Sequence, residues 1–257
     1  MSEQIIVERP SEHGGAVQVM RFNRPDKKNA ITQDMYRIMV EAMQAGDADD
    51  DVRVHVFLGA EGCFTAGNDM QDFLSYAING RIGEGHVGQF LKALATVRKP
   101  MISGVDGLAI GIGTTMHFHC DLTFATPRSE FRTPFVDLAL LPEAGSSLLG
   151  PDVMGYQRAF AMLAAGTAFS AEEAREAGLI YQVVGEEALE SVTLAAAANI
   201  ASKPPQAMQL ARDLLRRGDR SAIVARIEEE SALFGERLSS PEARAAFEAF
   251  MARKKSA

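Results

Sequence analysis

The chain contains little cysteine: Cys63 and Cys120 are the only two among 257 residues. Two cysteines do not make a disulfide-stapled secreted scaffold, so we expect a protein of the reducing cytoplasm. The first 15 residues are polar and lack the apolar stretch of a signal peptide. No segment approaches the roughly 20 uninterrupted apolar residues that span a bilayer. The sequence therefore predicts neither secretion nor a membrane partner.

Basic residues are also in deficit. Lys and Arg number 26 against 34 Asp and Glu, which gives a formal net charge of −8. Nucleic-acid binding needs a basic footprint, so we expect no nucleic-acid partner, although a local basic pocket could still hold an anionic ligand. Hydrophobic residues make up 47% and charged residues 23%. That balance predicts a folded globular chain of one or two domains.

The apolar pattern divides the chain into two parts. In the first part, strand-like runs alternate with helix-like runs, which implies parallel strands joined by crossovers. The predicted strands are 16–22, 52–58, 100–105 and 122–125, and the predicted helices begin after Thr32 and span 87–97 and 112–119. The second part is helical, over 187–201, 204–217, 220–238 and 241–254. Residues 202–205, which lie within this helical part, are the best candidate for a linker.

Several familiar motifs fail on inspection. A GxGxxG dinucleotide fingerprint beginning at Gly111 fails at Met116, and a GxSxG nucleophile elbow beginning at Gly145 fails at Leu149. His117 and His119 resemble part of a metal cluster. On a helix, however, residues two apart point to opposite sides, so we expect a structural role and no metal.

Two glycine-bearing turns, 64–70 and 107–113, each follow a predicted strand and precede a predicted helix. Such turns expose backbone N–H groups, and two converging N–H groups would stabilise an oxyanion. The alternative is two ordinary tight turns, since glycine is common there. A third glycine-rich stretch, 79–88, is predicted to be a surface loop beside a pocket.

Glu143 lies in a largely apolar stretch, residues 134–147. A carboxyl group in apolar surroundings has a raised pKa and can act as a proton-transferring base. The alternative is a solvated loop glutamate. Sequence alone leaves both open.

Four segments together resemble the crotonase superfamily, also called the enoyl-CoA hydratase/isomerase family. They are 23–30, 64–70, 104–113 followed by Cys120-Asp121, and 134–147, in the order and spacing of that family. The resemblance implies an α/β fold, a crotonase-like spiral of ββα turns with a C-terminal helical region for trimerisation. We therefore predict a spiral core with an acyl-CoA site over 1–202 and an oligomerisation region over 203–257, giving a trimer or a hexamer.

The same resemblance assigns roles to residues. The backbone N–H groups of Asn68 and Ile112 would form an oxyanion hole, and Glu143 would be the catalytic base. An acyl-CoA thioester would be the substrate, and no cofactor would be needed beyond the coenzyme A of that substrate. The residues expected along its path are Lys27, Lys28, Ala30, Ala66, Gly67, Asn68, Asp69, Met70 and Gly111, with the choice between the two lysines open.

Two departures from the hydratase pattern narrow the expected chemistry. Hydratases of this family carry two glutamates, at positions that here hold Thr115 and Phe135. Glu143 instead matches the single base of Δ3,Δ2-enoyl-CoA isomerases, and the chain is most similar to the peroxisomal-type members. The alternatives are an enoyl-CoA hydratase or another acyl-CoA lyase or hydrolase. A nucleic-acid-binding or non-catalytic homologue is more remote.

Overall fold

The computed structural model describes residues 4–11, 14–71, 85–216 and 220–256. Within these ranges the strands are β1 (Ile5–Glu8), β2 (Val17–Phe22), β3 (Val54–Leu58), β4 (Cys63–Thr65), β5 (Met101–Val105), β6 (Leu108–Ile110), β7 (Leu122–Ala125), β8 (Glu130–Arg132), β9 (Phe169–Ser170) and β10 (Gln182–Val183).

The helices follow the same pattern of α/β first and α afterwards. They are α1 (Gln33–Ala48), α2 (His86–Thr96), α3 (Ile112–Thr115), α4 (Ser146–Met154), α5 (Tyr156–Leu163), α6 (Ala171–Glu176), α7 (Leu189–Ala201), α8 (Pro205–Leu215), α9 (Arg220–Leu238) and α10 (Pro241–Ser256). Short 3-10 helices span Pro25–Lys27, Met116–His119, Val136–Leu138 and Glu186–Ala188. Thr32 caps α1 by accepting the Met35 N–H, as predicted.

The strands form two sheets. One has six strands in the order β1-β2-β3-β5-β7-β10, and the other has four in the order β4-β6-β8-β9. Within the first spiral turns the chain visits the two sheets alternately, β3 then β4, β5 then β6, β7 then β8, with mostly parallel pairing. This arrangement is the predicted ββα spiral.

The four inner strands of the six-stranded sheet, β2, β3, β5 and β7, are largely buried on both faces. On one face, alternate residues such as Val17, Val19, Val54 and Val56 pack with Leu189 of α7. On the other face, the intervening residues join a larger core that includes α1 and α2. Burial on both faces explains why these strands are near-continuous apolar runs.

The C-terminal helices are tied to the spiral by arginines. Arg212 of α8 is almost fully buried, donates to both carboxylate oxygens of Asp121 and donates to the carbonyl of Val97. Arg216 donates to the carbonyl of His119 and pairs with Asp121. The helical region is therefore packed onto the segment 119–121, next to the 3-10 helix that follows α3.

Five short strands, β1, β4, β6, β8 and β9, lie where the sequence predicts none. Strand β4 overlaps the start of the predicted turn 64–70, and β6 lies within the predicted turn 107–113. Runs of three or four residues are too short to show a period of two, and flanking glycines mark them as turns. The predicted loop 79–88 lies largely outside the described residues, and its last three residues belong to α2 instead.

No helix in the described ranges is long and apolar enough to cross a membrane.

Candidate active site

In the first part of the site, the buried side chain of Asn29 connects the segment 24–30 to β4. The Asn29 side chain accepts the Arg24 N–H and donates to the carbonyls of Cys63 and Phe64. Its own carbonyl accepts the Thr65 hydroxyl at 2.6 Å. Because this fully buried amide has partners in both segments, it fixes the segment 24–30 relative to β4. The predicted positions Lys27, Lys28 and Ala30 are thereby held beside 66–69.

The two glycine-bearing turns meet at the same sheet edge. Strands β4 and β6 are parallel neighbours, so the turns that follow them emerge side by side. A Cβ on Gly67 would lie 2.7 Å from the Ile110 carbonyl oxygen, and a Cβ on Gly113 would lie 2.4 Å from Thr65 Cγ2. Gly67 also has φ +82°. Glycine is required here by close backbone approach as well as by conformation.

The two N–H groups assigned to the oxyanion hole lie on these turns. The bridge between Ile31 and Asn68 uses Gly67 O and Asp69 N, which leaves the Asn68 N–H pointing to the other side. Ile112 is the first residue of α3, where N–H groups have no partner within the helix. Neither N–H hydrogen-bonds to another residue of the described ranges.

Side chains brace the first turn. Arg24 pairs with Asp69 at 2.7 Å, and both side chains are largely buried. The Tyr36 hydroxyl donates to Asn68 Oδ1 at 2.6 Å. Lys27 and Lys28 are exposed at the rim, so their ammonium groups can reach solvent or an anion. Asn68 and Asp69 were predicted at the site, but their partners Tyr36 and Arg24 were not.

Glu143 is 9% exposed and faces α3. The Thr115 hydroxyl donates to Glu143 Oε1 at 2.5 Å. Burial raises the pKa of Glu143 to about 8; the Thr115 hydrogen bond opposes that rise and the charge of Glu230 adds to it. The prediction that Glu143 sits in apolar surroundings is correct, and the solvated alternative is wrong. At the sequence level Thr115 marks only the absence of a carboxylate; in the structure it binds the carboxyl that is present.

The Glu143 side chain is carried by a tight turn. The Ser146 N–H donates to the Glu143 carbonyl, and the two central residues, Ala144 and Gly145, both have positive φ. Positive φ is strained for alanine, so neighbouring groups must hold the turn. His119 does so by donating from Nε2 to the Ala144 carbonyl at 2.6 Å. Burial lowers the pKa of His119 to about 4, which keeps the ring neutral.

A carboxylate from α9 holds the other side of this turn. Glu230 accepts the Gly145 N–H at 2.6 Å and the Ser147 N–H at 3.0 Å. It also accepts the Ser147 hydroxyl at 2.6 Å. Neither Glu230 nor Ser147 was predicted to have this role.

His117 and His119, which in the sequence resemble part of a metal cluster, have structural roles in the core. His119 binds the turn, and His117 lies with Nδ1 3.0 Å from Ser103 Oγ, fully buried. Within the described part of the chain, no group of three or more His, Cys, Asp or Glu side chains could hold a metal ion.

The chain belongs to the enoyl-CoA hydratase/isomerase family, which it matches over residues 12–257. The family resemblance and the α/β spiral expected from the sequence are thus confirmed. Among solved structures, it is similar to Pseudomonas aeruginosa OdaA, with 38% identity and a TM-score of 0.91 over 97% of this chain and 99% of that one.

Among curated relatives, it is similar to enoyl-CoA delta isomerase 2 of Rattus norvegicus, with 34% identity over 93% of this chain. The match covers 62% of the length of the rat protein. It is also 31% identical to the peroxisomal enoyl-CoA delta isomerase 3 of Mus musculus, over 98% of this chain and 80% of that protein.

Proposed function

We propose that the protein is a Δ3,Δ2-enoyl-CoA isomerase with Glu143 as its proton-transferring base. The observation that carries the proposal is a single buried carboxyl, 9% exposed, whose pKa burial raises to about 8. A base with a pKa near the working pH combines proton affinity with a usable ionised fraction. The similarity to two enoyl-CoA delta isomerases supports the same chemistry.

In the proposed reaction, Glu143 removes the C2 proton of a 3-enoyl-CoA. The electron pair delocalises over C2, C3, C4 and the thioester carbonyl as a dienolate. The N–H groups of Asn68 and Ile112 hold the negative oxygen, each worth roughly 3–4 kcal/mol if they resemble measured oxyanion donors. The Glu143 carboxyl then delivers its proton to C4, and the double bond ends between C2 and C3. Protons balance, and no metal or redox cofactor takes part in these steps.

Burial of the base favours isomerisation over hydration. The Thr115 hydroxyl donates to Glu143 Oε1. The Phe135 ring lies next to the second turn, 4.0 Å from where a Cβ on Gly111 would be. Neither residue offers a second carboxylate to orient water. A protonated Glu143 in dry surroundings would keep its proton until C4 receives it.

The expected substrate is an acyl-CoA thioester, bound along the residues that flank the two turns. The exposed Lys27 or Lys28 would contact its phosphates, and 66–70 with Ala30 would follow the adenine and pantetheine. The pairing of Arg24 with Asp69 supports this path by holding the first turn beside the lysine-bearing segment.

The decisive experiment compares two substrates. We expect 3-hexenoyl-CoA to be converted to 2-hexenoyl-CoA at least about 10²-fold faster than 2-hexenoyl-CoA is hydrated, a low figure for one catalytic base. Products are identified by chromatography against standards. Formation of 3-hydroxyhexanoyl-CoA as fast as the double bond migrates would make the protein a hydratase instead.

We further propose that the protein self-associates as a trimer or a pair of trimers through 203–257. Leu210, Leu214 and Leu215 of α8 are 60%, 81% and 85% exposed, an apolar surface that association would cover. Light scattering at micromolar concentration should give three or six chains, and a monomer would refute it. The cytoplasmic location stays a prediction.

A further inference from the structure

We propose that Glu230 is a positioning residue that fixes the turn carrying Glu143, so that the C-terminal helix α9 completes the active site of its own chain. The proposal rests on the proposed function for its kinetic part. Its structural part concerns only how the turn 143–147 is held.

The carboxylate of Glu230 accepts three hydrogen bonds from the turn. Oxygen Oε2 of Glu230 accepts the Gly145 N–H at 2.6 Å, while Oε1 accepts the Ser147 N–H at 3.0 Å and the Ser147 hydroxyl at 2.6 Å. Charge-assisted bonds of this kind are short and strong. They fix two residues of the backbone that sets the direction of the Glu143 side chain.

The turn requires these hydrogen bonds because its backbone conformation is unfavourable by itself. Ala144 and Gly145 have φ of +62° and +69° in succession. A Cβ on Gly145 would lie 3.1 Å from Ile223 Cγ2, so α9 packs directly on the turn as well. Together, His119 and Glu230 hold the two sides of one peptide group of the turn, the Ala144 carbonyl and the Gly145 N–H.

The position of Glu230 on α9 is itself informative. The residues that α9 buries are Ile223, Ile227, Glu230 and Phe234, which lie on one helical face. A glutamate in the middle of an apolar face, 6% exposed, is costly unless it is paired. Here its partners are the three donors of the catalytic turn, which explains why an acid rather than an apolar residue serves at this position.

An amide cannot replace this carboxylate fully. A glutamine could keep one oxygen for Ser147, but its NH2 group would then face the Gly145 N–H, donor against donor, at 2.6 Å. The Glu230→Gln variant therefore removes one bond and adds a repulsive contact while leaving the side-chain volume nearly unchanged.

The charge of Glu230 also acts on the base. The charged groups that face it are Glu143 from the turn and Arg226 from its own helix. Lys92 of α2, the neighbouring helix, is engaged with Glu228 instead. Beyond the larger effect of burial, the charge of Glu230 raises the pKa of Glu143, so its removal should lower that pKa.

The test compares Glu230→Gln with Glu236→Gln, which removes the same charge from an exposed position of the same helix. For 3-hexenoyl-CoA isomerisation by Glu230→Gln, we expect kcat to fall about 10-fold to 10²-fold, as for a base misplaced by an ångström or less. KM should stay within about 2-fold, and the acidic limb of kcat/KM should move to lower pH. Hydrogen exchange of the peptide that contains Gly145 and Ser147 should accelerate. Glu236→Gln should change none of these.

A purely structural role would not split kcat from KM or move the pH profile. If Glu230→Gln fails to fold, Glu230→Asp carries the test, because it keeps the charge and shortens the reach. In that variant kcat should fall while the pH profile stays. Wild-type kcat and unchanged exchange in either folded variant would overturn the proposal.

The outcomes separate this inference from the proposed function. A wild-type protein without isomerase activity would remove the function, whereas hydrogen exchange, which needs no substrate, would still test the grip on the turn. An active Glu143→Gln would remove the base. An inactive Glu143→Gln beside a Glu230→Gln variant with normal kcat, pH profile and exchange would defeat the role of Glu230 alone.

Discussion

The two halves of the candidate site are built in different ways. In the oxyanion half, the proposed functional groups are backbone N–H groups on two turns, fixed by the pairing of β4 with β6 and by Asn29. In the base half, the proposed functional group is one side chain on a strained turn. His119 and Glu230 fix the backbone of that turn, and Thr115 binds the Glu143 carboxyl itself.

This difference determines what each half tolerates. Backbone donors do not depend on side-chain identity, except where a Cβ would enter the gap between the turns. The base depends on the identity of every group that touches it, because its pKa and its direction are both set by neighbours. Substitutions should therefore damage the first half through volume and the second half through charge and hydrogen bonding.

The largest effect should come from the base itself. Glu143→Gln keeps the shape and can still accept the Thr115 hydroxyl, but it cannot take a proton. We expect kcat for 3-hexenoyl-CoA isomerisation to fall by at least about 10²–10⁴ with acyl-CoA affinity largely kept. Steady-state kinetics and a binding titration with a saturated acyl-CoA measure the two quantities. Near-normal turnover would assign the proton transfer to another group.

The next effect should come from volume in the oxyanion half. Gly67→Ala places a Cβ 2.7 Å from the Ile110 carbonyl oxygen and forces the turns apart, so we expect kcat to fall about 10²-fold to 10³-fold, as when one oxyanion donor is lost. Gly62→Ala is the matched control, because Gly62 has a similar φ, +74°, with nothing within 4 Å of its Cβ. If both variants lose kcat equally, strain rather than the gap is responsible.

In the oxyanion half, the sequence predicts the two turns better than the strands and contacts that hold them in place. The turn 64–70 and its partner 107–113 are local motifs, so their glycines could be read without tertiary information. The short strands β4 and β6 inside them could not, because three residues show no periodicity. Asn29 lies in the segment 23–30, which carries part of the family resemblance. Its hydrogen bond to Phe64 nevertheless joins residues 35 positions apart.

The base half was predictable only at Glu143. Its partner Thr115 lies 28 residues away, and the grip of Glu230 on Gly145 spans 85 residues. Contacts of that separation depend on how α9 docks, which no local pattern encodes. One signal was present all the same: Glu230 shares a helical face with Ile223, Ile227 and Phe234, and an acid at such a position indicates a buried partner.

A smaller effect should follow from the hydroxyl on the base. The hydrogen bond from Thr115 opposes the burial that raises the pKa of Glu143 to about 8. Thr115→Val should therefore move the acidic limb of kcat/KM to higher pH by about one unit, the size of a hydrogen bond to a charged group. Activity at pH 7 would then fall about 10-fold. Thr115→Ser keeps the hydroxyl and should keep the profile, and a Thr115→Val profile that matches the wild type would show that the hydroxyl does not act on the base.

The smallest effect should appear in stability rather than in rate. Burial keeps Glu143 protonated up to a pKa of about 8 in the folded protein, while the unfolded chain releases that proton at its ordinary, lower pKa. Between these values the unfolded state binds fewer protons, so the free energy of unfolding must fall as pH rises, by about 1.4 kcal/mol per pH unit at most. For a chain of this size, that corresponds to a loss of at most about 3–6 °C in Tm per pH unit. Glu143→Gln has no such proton to lose, so its Tm should fall less than that of the wild type between pH 6 and pH 8, whereas the exposed Glu236→Gln should follow the wild type. Parallel melting curves for all three proteins would mean that Glu143 is already ionised in the folded state at neutral pH, and that its hydrogen bonds outweigh the effect of burial on its pKa.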